Sequence, residues 1–468
     1  MTRTRNTTIK LITAFAMIMA LSLSLAIPAL AYPWSVGDKD TPAPSAITKK
    51  FDMPIGTIVP STSTFTFTYT KEGIGTKTDE TTKGTMPDIP ATTITITAAE
   101  LAAAGPANKT LIIEDKTTNI KSIFKESDDI LKNVPANKWP GAGVYTYTVR
   151  ETEGGVTMPN TGATKEGAFY SPARYKIEFW VEEVEDAQGQ GTGVYFVRFV
   201  NAIIIEEFTD EYYEEDQPAD GKVDPTPGSS TVTSYTTKEG FSGIIFTNRY
   251  WRSDGDGTET GDTALEITKA LGGSDTDPAR FNRYFEFKVT VIQPSVVDTD
   301  QTYKAYIFNA ADEKVTASEN YGAYEAGGLI SFPSGSQRTF NLKDGERLVF
   351  IDLHVGATVI VSETANVLYR PKYERSFANE TATTAFTAPA ANTTWGFPRT
   401  EAPADAGPHY LPEGKNVNKV DYINIRINAT PMGLDVDELP YIVLIGLAVV
   451  SLVGYALVKI RKRTHDDV

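Results

Sequence analysis

The chain of 468 residues contains no cysteine and only three histidines. The absence of cysteine excludes disulfide bonds, thiol nucleophiles and thiolate metal sites. The scarcity of histidine, with no Gly-x-Ser-x-Gly elbow, no phosphate-binding loop and no metal-ligand spacing, argues against an enzyme that turns over a substrate. We therefore expect no cofactor, no metal site and no catalytic cycle.

Positive charge is also in short supply. The chain carries 44 Lys and Arg against 60 Asp and Glu, which gives a formal net charge of −16 at pH 7. A surface this acidic repels phosphate backbones, so nucleic acid is not an expected partner. The most acidic stretch, residues 206–216, lacks the ligand spacing of a calcium loop and is interpreted as a solvated loop.

Long apolar runs occur only near the two ends. An apolar run over 11–26 follows three basic residues and precedes Ala29-Leu30-Ala31, so residues 1–31 predict a cleaved secretory signal peptide. Residues 439–458 carry no charge and match the length needed to cross a bilayer. The basic tail 459–468 should stay in the cytoplasm. We expect an exported cell-surface protein held in the cell membrane by a single transmembrane helix.

Between these ends, alternating apolar and polar residues are interrupted by Gly, Pro and Asp. Phe65, Phe67 and Tyr69 alternate with threonines, as in a strand with one buried face. Such segments recur without a sustained helical period, apart from one or two helical turns expected near Ser122–Leu131. The pattern predicts an all-β fold of two tandem immunoglobulin-like antiparallel β-sandwiches.

The expected domain order follows from composition. Residues 253–262 include no apolar side chain and are typical of a linker. The predicted segments after the signal peptide are a stub (32–45), a first sandwich (46–250), a linker (251–262), a second sandwich (263–429) and a membrane-proximal segment (430–438).

Each predicted sandwich opens on a lysine that strand alternation turns inward. Lys49 shares a strand face with Ile47 and Phe51, and Lys269 shares one with Ile267. An ammonium group in an apolar core is unfavourable unless it is paired or neutralised. The sequence therefore predicts a partner for both amines.

Acids and a carboxamide have the same inward parity. Glu151 follows Val149 on one strand face, Glu363 follows Val361, and Asn248 points the same way as the apolar residues before it. Each predicted interior thus offers a lysine, a glutamate and an asparagine.

These residue types suit one reaction. Burial lowers the pKa of lysine and raises that of glutamate, so a neutral amine can face a protonated acid. The amine can attack the asparagine carbonyl while the glutamate hydrogen-bonds that oxygen and relays protons. Ammonia leaves, and a Lys–Asn isopeptide bond remains. The alternative is a buried Lys–Glu ion pair beside an unrelated asparagine.

Several motifs resemble those of surface proteins from Gram-positive bacteria. The first sandwich resembles the isopeptide-linkage domain of backbone pilins through Ile47-Thr48-Lys49-Lys50-Phe51, Tyr147-Thr148-Val149-Arg150-Glu151 and Phe246-Thr247-Asn248. The second resembles pilin-type and collagen-adhesin B-type repeats through Asn341-Leu342-Lys343-Asp344-Gly345-Glu346 and Val361-Ser362-Glu363-Thr364.

The resemblance implies two reactive triads. In the first, Lys49 and Asn248 are joined with the help of Glu151, and in the second Lys269 and Asn424 are joined with the help of Glu363. Tyr422-Ile423-Asn424 matches an aromatic-x-Asn ending. However, Ile423, Ile425 and Ile427 occupy the opposite parity, and Asn428 is a rival for the second site.

The resemblance also implies a structural role at the cell surface. We expect a pilin-like subunit or a membrane-tethered stalk, with other pilin subunits as partners. The alternative is an adhesin, in which tyrosine-rich and acidic loops such as 206–216 bind a host or neighbouring-cell ligand.

A sortase signal precedes the membrane segment in family members that are fixed to the cell wall. Here the corresponding place is occupied by Thr430, Pro431, Met432 and Gly433, a degenerate form of that signal. Met432 replaces the threonine at the scissile position. We therefore expect retention by the membrane helix rather than transfer to the cell wall.

Overall fold

The structure is a computed structural model of the chain. It describes residues 34–58, 62–105, 108–156, 166–206, 221–228, 240–272, 281–297, 300–316, 320–322, 324–364, 366, 368–378, 384–386, 409–410, 414, 416–426, 447–448 and 451. The predicted signal peptide, the degenerate sorting signal and the basic tail lie outside these residues. So does the predicted membrane segment, except for Leu447, Ala448 and Ser451. Within the described ranges, no helix is long and apolar enough to span a membrane.

The described chain forms two compact units, which divide after Trp251. The strands that begin in unit 1 are β1 (Trp34–Val36), β2 (Thr48–Pro54), β3 (Thr62–Ile74), β4 (Thr92–Thr97), β5 (Thr110–Asp115), β6 (Ile120–Glu126), β7 (Gly143–Thr152), β8 (Glu166–Phe169), β9 (Arg174–Glu185), β10 (Gly191–Glu206), β11 (Lys222–Val223) and β12 (Ile245–Asp254). Its short helices are α1 (Glu80–Thr85), α2 (Ala98–Ala102) and a 3-10 turn (Ala136–Lys138).

Unit 2 is built from a second set of strands. They are β13 (Leu265–Gly272), β14 (Phe285–Ile292), β15 (Thr302–Phe308), β16 (Leu329–Pro333), β17 (Gln337–Leu342), β18 (Arg347–Phe350), β19 (Leu353–His354), β20 (Thr358–Glu363), β21 (Tyr369–Ser376), β22 (Thr384–Phe386), β23 (His409–Tyr410) and β24 (Lys419–Arg426). A 3-10 turn (Ala326–Gly328) precedes β16.

Both units are two-layered, so the predicted all-β fold is confirmed. In unit 1, a sheet of order β1-β10-β9-β7-β3-β4 faces one of order β12-β2-β6-β5. Phe51 of β2 and Phe65 of β3 meet across the layers, with ring centroids 5.3 Å apart. In unit 2, the order β16-β15-β18-β13-β24-β21-β22 faces β17-β14-β20-β23. There Tyr422 of β24 meets Phe287 of β14 at 5.1 Å.

Alternation in β3 behaves as the sequence predicts. Phe65 and Phe67 are fully buried, whereas the alternating threonines Thr64, Thr66 and Thr68 are only partly buried. The short helices that the sequence did not indicate are held by their caps: Asp79 caps α1, and Thr97 forms a capping box with Glu100 at the start of α2.

One topological expectation was wrong. The sandwiches are not purely antiparallel, because β2 pairs with β12 in parallel and β13 pairs with β24 in parallel. These are the strands that carry the predicted lysines and asparagines. Parallel neighbours need a long connection, and here nearly the whole unit lies between them in the chain.

Two predicted segment boundaries also need correction. The stub is part of unit 1, because β1 pairs with β10 and Ser35, Ala43 and Ser45 are buried. The first residues of the predicted linker continue β12, and Ser253 and Asp254 pair with β19. Their polarity is compatible with burial because they are hydrogen-bonded, as where Asp254 Oδ2 accepts from the Gly414 N–H.

The helical turn expected near Ser122–Leu131 is also wrong. Residues 120–126 form β6, which lies between β2 and β5. Ile123 and Phe124 are adjacent and both buried, so the two faces of this strand are covered. A strand buried on both faces loses the alternation that would distinguish it from a helix.

Candidate functional site

The unit 1 site depends on the register of the parallel pair. Lys49 lies opposite Phe246, and Asn248 lies opposite Phe51, so the lysine and the asparagine are two residues apart in register. Because side chains alternate along a strand, both project from the same face of the sheet. The facing sheet supplies Glu151 from β7.

The three predicted side chains of unit 1 meet in the core. Lys49 Nζ lies 2.7 Å from Glu151 Oε2, and Asn248 Nδ2 donates a 2.6 Å hydrogen bond to Glu151 Oε1. The side chains of Lys49 and Glu151 are wholly inaccessible to solvent, and Asn248 is fully buried. The Glu151 carboxylate therefore contacts both the amine and the carboxamide directly.

Unit 2 repeats this arrangement with the same register. Lys269 lies opposite Tyr422, and Asn424 lies opposite Leu271 in the parallel pair β13–β24. The facing sheet supplies Glu363 from the end of β20. As in unit 1, the lysine and the asparagine come from one sheet and the acid from the other.

The predicted residues of unit 2 are also in contact. Lys269 Nζ lies 3.1 Å from Glu363 Oε2, and Asn424 Nδ2 donates to Glu363 Oε1 at 2.5 Å. Lys269, Glu363 and Asn424 are all buried. The structure thus brings Asn424 to the acid, while its rival Asn428 lies outside the described residues.

Asn424 faces inward against the apolar pattern of its own strand. Tyr422 shares its face and is buried, donating from its hydroxyl to the Val361 carbonyl and packing on Phe287 and Tyr373. Ile425 is 40% exposed. One large, hydrogen-bonded tyrosine therefore outweighs the isoleucines in setting which face of β24 is buried.

An aromatic ring lies beside each lysine, and our sequence reasoning missed both rings. Lys49 Nζ is 4.6 Å from the centroid of Phe65, and Lys269 Nζ is 4.4 Å from that of Phe285. A ring face attracts a buried ammonium group through its quadrupole. Phe65 lies 16 positions after Lys49, and Phe285 lies 16 positions after Lys269, a shared spacing that could have revealed them.

In each unit, the glutamate is positioned by an equivalent pair of antiparallel strands. Phe67 pairs with Glu151 across β3 and β7, and Phe287 pairs with Glu363 across β14 and β20. A Phe-x-Phe strand therefore presents one ring to the lysine and sets the register of the glutamate. This repetition makes the two sites structural equivalents.

Burial changes the protonation of these groups. Desolvation lowers the pKa of Lys49 from 10.5 to about 8, although the neighbouring Glu151 carboxylate favours the charged amine. The same balance lowers the pKa of Lys269 to about 8. Burial raises the pKa of Glu363, against the opposing effect of Lys269. Both lysines therefore lose their proton more readily than a lysine in water.

The orientation of the unit 1 carboxamide differs from our expectation that the glutamate contacts its oxygen. Asn248 turns its nitrogen to Glu151, and its Oδ1 accepts a 2.8 Å hydrogen bond from the backbone N–H of Ser171. In unit 2, Asn424 Oδ1 is buried and has no hydrogen-bond partner among the described residues. A main-chain donor such as Ser171 leaves no signal in residue type, so sequence reasoning could not find it.

Other expectations fall partly outside the described chain. The acidic loop proposed for ligand binding is described only at Glu206, the last residue of β10. Across the described ranges, no group of three or more His, Asp or Glu side chains is arranged to hold a metal ion.

Comparison with known proteins gives one family and several solved structures. Residues 263–394 match a family described as a domain of unknown function (DUF7601). No curated protein matches the chain.

The chain is similar to solved structures of pilus proteins. A major pilin (T-13) from Streptococcus pyogenes is 14% identical to this chain. The match covers 85% of this chain and 100% of the pilin chain, with a TM-score of 0.26. A second major pilin of that species is 17% identical over 82% of this chain and 99% of its own, with a TM-score of 0.26. A pilus-presented adhesin is 14% identical, and the match covers 40% of this chain and 30% of the adhesin chain, with a TM-score of 0.19. At these TM-scores the superpositions carry no argument about function, which must rest on the chain's own side chains.

Proposed function

We propose that this chain is a structural protein of the cell surface, a pilin-like subunit or a stalk, whose two units are each locked by an internal Lys–Asn amide bond. The observation that carries the proposal is the repeated buried cluster of lysine, glutamate and asparagine. A single such cluster could be an ion pair beside a chance asparagine. Two clusters with equivalent strands, register and aromatic neighbours favour the same reaction, formation of a Lys–Asn amide bond, in both units.

Burial supports the amine as the nucleophile. Desolvation lowers the pKa of Lys49 to about 8, so the neutral amine is more populated at pH 7 than in an ordinary lysine, which is almost wholly charged. The packed core holds the amine beside the carboxamide, so the reaction needs no encounter step. The contacts of Glu151 with both reacting side chains suit it to move a proton between them.

The proposed reaction is balanced without any further reagent. A bond forms between Lys49 Nζ and Asn248 Cγ, and the bond from Cγ to Nδ2 breaks. The proton released by Nζ reaches Nδ2 through the Glu151 carboxyl group, so ammonia leaves and the acid ends as it began. The product is a neutral amide, which is better suited to an apolar core than an ammonium group. Because this is one self-modification of the chain, no turnover is involved.

The position of the bond supports a mechanical role. Lys49 is on the first long strand of unit 1, and Asn248 is on the strand that leads to unit 2. Tension entering at β2 would pass through the amide into β12, bypassing the hydrogen bonds of the residues between them. By the loop-closure relation used for disulfides, constraining the unfolded chain in this way stabilises each unit by about 5 kcal/mol.

Export and anchoring complete the proposal. They rest on the sequence of residues 1–31 and 439–458, and the degenerate signal at 430–433 favours retention in the membrane. These parts of the proposal are independent of the amide bonds, and either can fail without the other.

The intact mass of the folded chain tests the proposed function. We expect a deficit of one ammonia for each unit. Lys49→Arg keeps the positive charge but removes the nucleophile, and it should restore one ammonia. Lys50→Arg is the matched control, because this lysine is on the same strand but points to the opposite face, and it should leave both bonds intact. A folded chain with no mass deficit would refute the proposal.

A further inference from the structure

The backbone N–H of Ser171 points at a reacting atom of unit 1. It donates to Asn248 Oδ1 at 2.8 Å, and both residues are buried. Ser171 lies in the segment between β8 and β9, where its hydroxyl accepts a 3.3 Å hydrogen bond from the Ala173 N–H. An N–H group can only donate, so this contact fixes the carboxamide with its oxygen towards Ser171 and its nitrogen towards Glu151.

This orientation gives Ser171 and Glu151 different roles in the reaction, because each contacts a different atom of the carboxamide. When Lys49 Nζ attacks Asn248 Cγ, the carbonyl electron pair moves onto Oδ1, which becomes negatively charged. Glu151 cannot stabilise that charge because it contacts Nδ2 instead. The group in place beside Oδ1 is the Ser171 N–H, whose hydrogen bond strengthens as the negative charge develops.

We propose that the Ser171 N–H is the oxyanion donor of the unit 1 reaction and makes this unit form its amide bond faster than unit 2. The inference rests on the proposed function and adds a catalytic group to it. Glu151 then receives a proton from Nζ and delivers it to Nδ2, and the tetrahedral intermediate collapses with loss of ammonia. Every atom is accounted for by Lys49, Asn248 and Glu151, and Ser171 is chemically unchanged.

Unit 2 provides the internal comparison. Its lysine, acid and aromatic neighbour match those of unit 1, but Asn424 Oδ1 has no donor within the described part of the chain. Removal of one oxyanion donor typically slows an acyl transfer by about 10²- to 10³-fold. We therefore expect the unit 2 bond to form later than the unit 1 bond after folding begins.

The test follows bond formation in time. Full-length chain recovered unfolded and unreacted from inclusion bodies is diluted into native buffer, and samples are quenched in acid. Each sample is digested with trypsin, and mass spectrometry measures the branched peptides that join Lys49 to Asn248 and Lys269 to Asn424. In the unaltered chain, the unit 1 peptide should appear first.

Two substitutions separate the N–H from the side chain. Ser171→Pro removes the N–H donor and should slow the unit 1 bond by about 10²- to 10³-fold, while the unit 2 bond keeps its rate. Ser171→Ala keeps the N–H and loses only the hydroxyl, so both bonds should form at the unaltered rates. The unit 2 bond serves as the reference within each sample.

The outcomes distinguish this inference from the proposed function. If both bonds form but Ser171→Pro leaves the unit 1 rate unchanged in a folded chain, the oxyanion role is overturned and the proposed function stands. If neither bond forms in the unaltered folded chain, both fail. If the proline variant does not fold, the order of the two bonds in the unaltered chain decides, and a unit 2 bond that forms first or simultaneously overturns the inference.

Discussion

The two units place the same chemical groups by the same means, yet they differ in how the carboxamide is held. In both, a pair of parallel strands carries the lysine and the asparagine, β2 with β12 in unit 1 and β13 with β24 in unit 2, and the facing sheet supplies the acid and an aromatic ring. In unit 1 the carboxamide oxygen is bound by Ser171, whereas in unit 2 it has no donor among the described residues. The core strands thus determine which side chains meet, and a connecting segment determines how well one reacting atom is stabilised.

The comparison is tested most strongly by removing the acids one at a time. Glu151→Gln and Glu363→Gln keep the size of the side chain but cannot relay a proton, and such a loss typically slows a reaction by about 10²- to 10⁴-fold. Each variant should lack only its own bond in intact-mass and peptide measurements.

Two other buried glutamates provide matched controls. Glu126 accepts from the N–H groups of Gly228 and Ser242 in unit 1, and Glu346 accepts from Tyr321 and Lys343 in unit 2. Their glutamine variants should retain both bonds. Loss of both bonds from Glu151→Gln alone would show that the two sites do not react independently.

The stability of each unit should fall by a similar amount when its bond is prevented. Asn248→Ala and Asn424→Ala remove the electrophile, and the closed loops they open contain about 200 and about 160 residues, so the loop-closure relation gives about 5 kcal/mol for each. Calorimetry, with limited proteolysis to assign each transition, measures the effect. An unchanged melting temperature in either unit would mean that no covalent constraint was lost there.

The pH dependence of stability should differ between bonded and unbonded forms of unit 1. In Asn248→Ala, Lys49 keeps its free amine, and burial should keep its folded pKa near the value of about 8 that it has in the unaltered chain, against 10.5 when unfolded, so the unfolded chain binds more protons between these values. The free energy of unfolding should therefore rise with pH across this window, by at most about 1.4 kcal/mol per pH unit. In the bonded chain Lys49 does not titrate, and this rise should be absent. Denaturant unfolding at pH 7 and pH 10 compares the two; equal slopes would contradict the assignment.

The smallest expected effect concerns the rings. Phe65→Leu removes the attraction between a ring and a charged Lys49, which is worth about 0.5 to 2 kcal/mol in a desolvated site. The loss should be larger in the Asn248→Ala background than in the bonded chain, where the amide nitrogen carries no charge. Phe285→Leu with Asn424→Ala repeats the cycle in unit 2. A coupling energy of zero in both units would remove the ring from the account of how the lysine is held.

Much of this arrangement is contained in local sequence. Alternation turned Lys49 and Glu151 inward because their neighbours are apolar, and the structure buries both. Ser253 and Asp254 can be buried because they form hydrogen bonds with specific partners. The amino-acid composition of the segment does not reveal those partners. Likewise, β6 is covered on both faces by other parts of the chain, so its own sequence lacks a clear strand period.

Two features of the sites were beyond local reasoning. Parallel pairing of β2 with β12 joins segments about 200 residues apart, and alternation within a strand cannot reveal the direction of a distant partner. The contact of Ser171 with Asn248 uses a backbone group that every residue but proline possesses. The inward face of β24 was ambiguous for a different reason, since packing of Tyr422 outweighed that of Ile423 and Ile425.

The most direct measurement is tandem mass spectrometry of a tryptic digest of the folded, unaltered chain. We expect a branched peptide in which Lys49 resists cleavage and is joined through its side chain to Asn248, and a second in which Lys269 is joined to Asn424. Complete cleavage after Lys49 and Lys269, with both asparagines recovered in linear peptides, would contradict it.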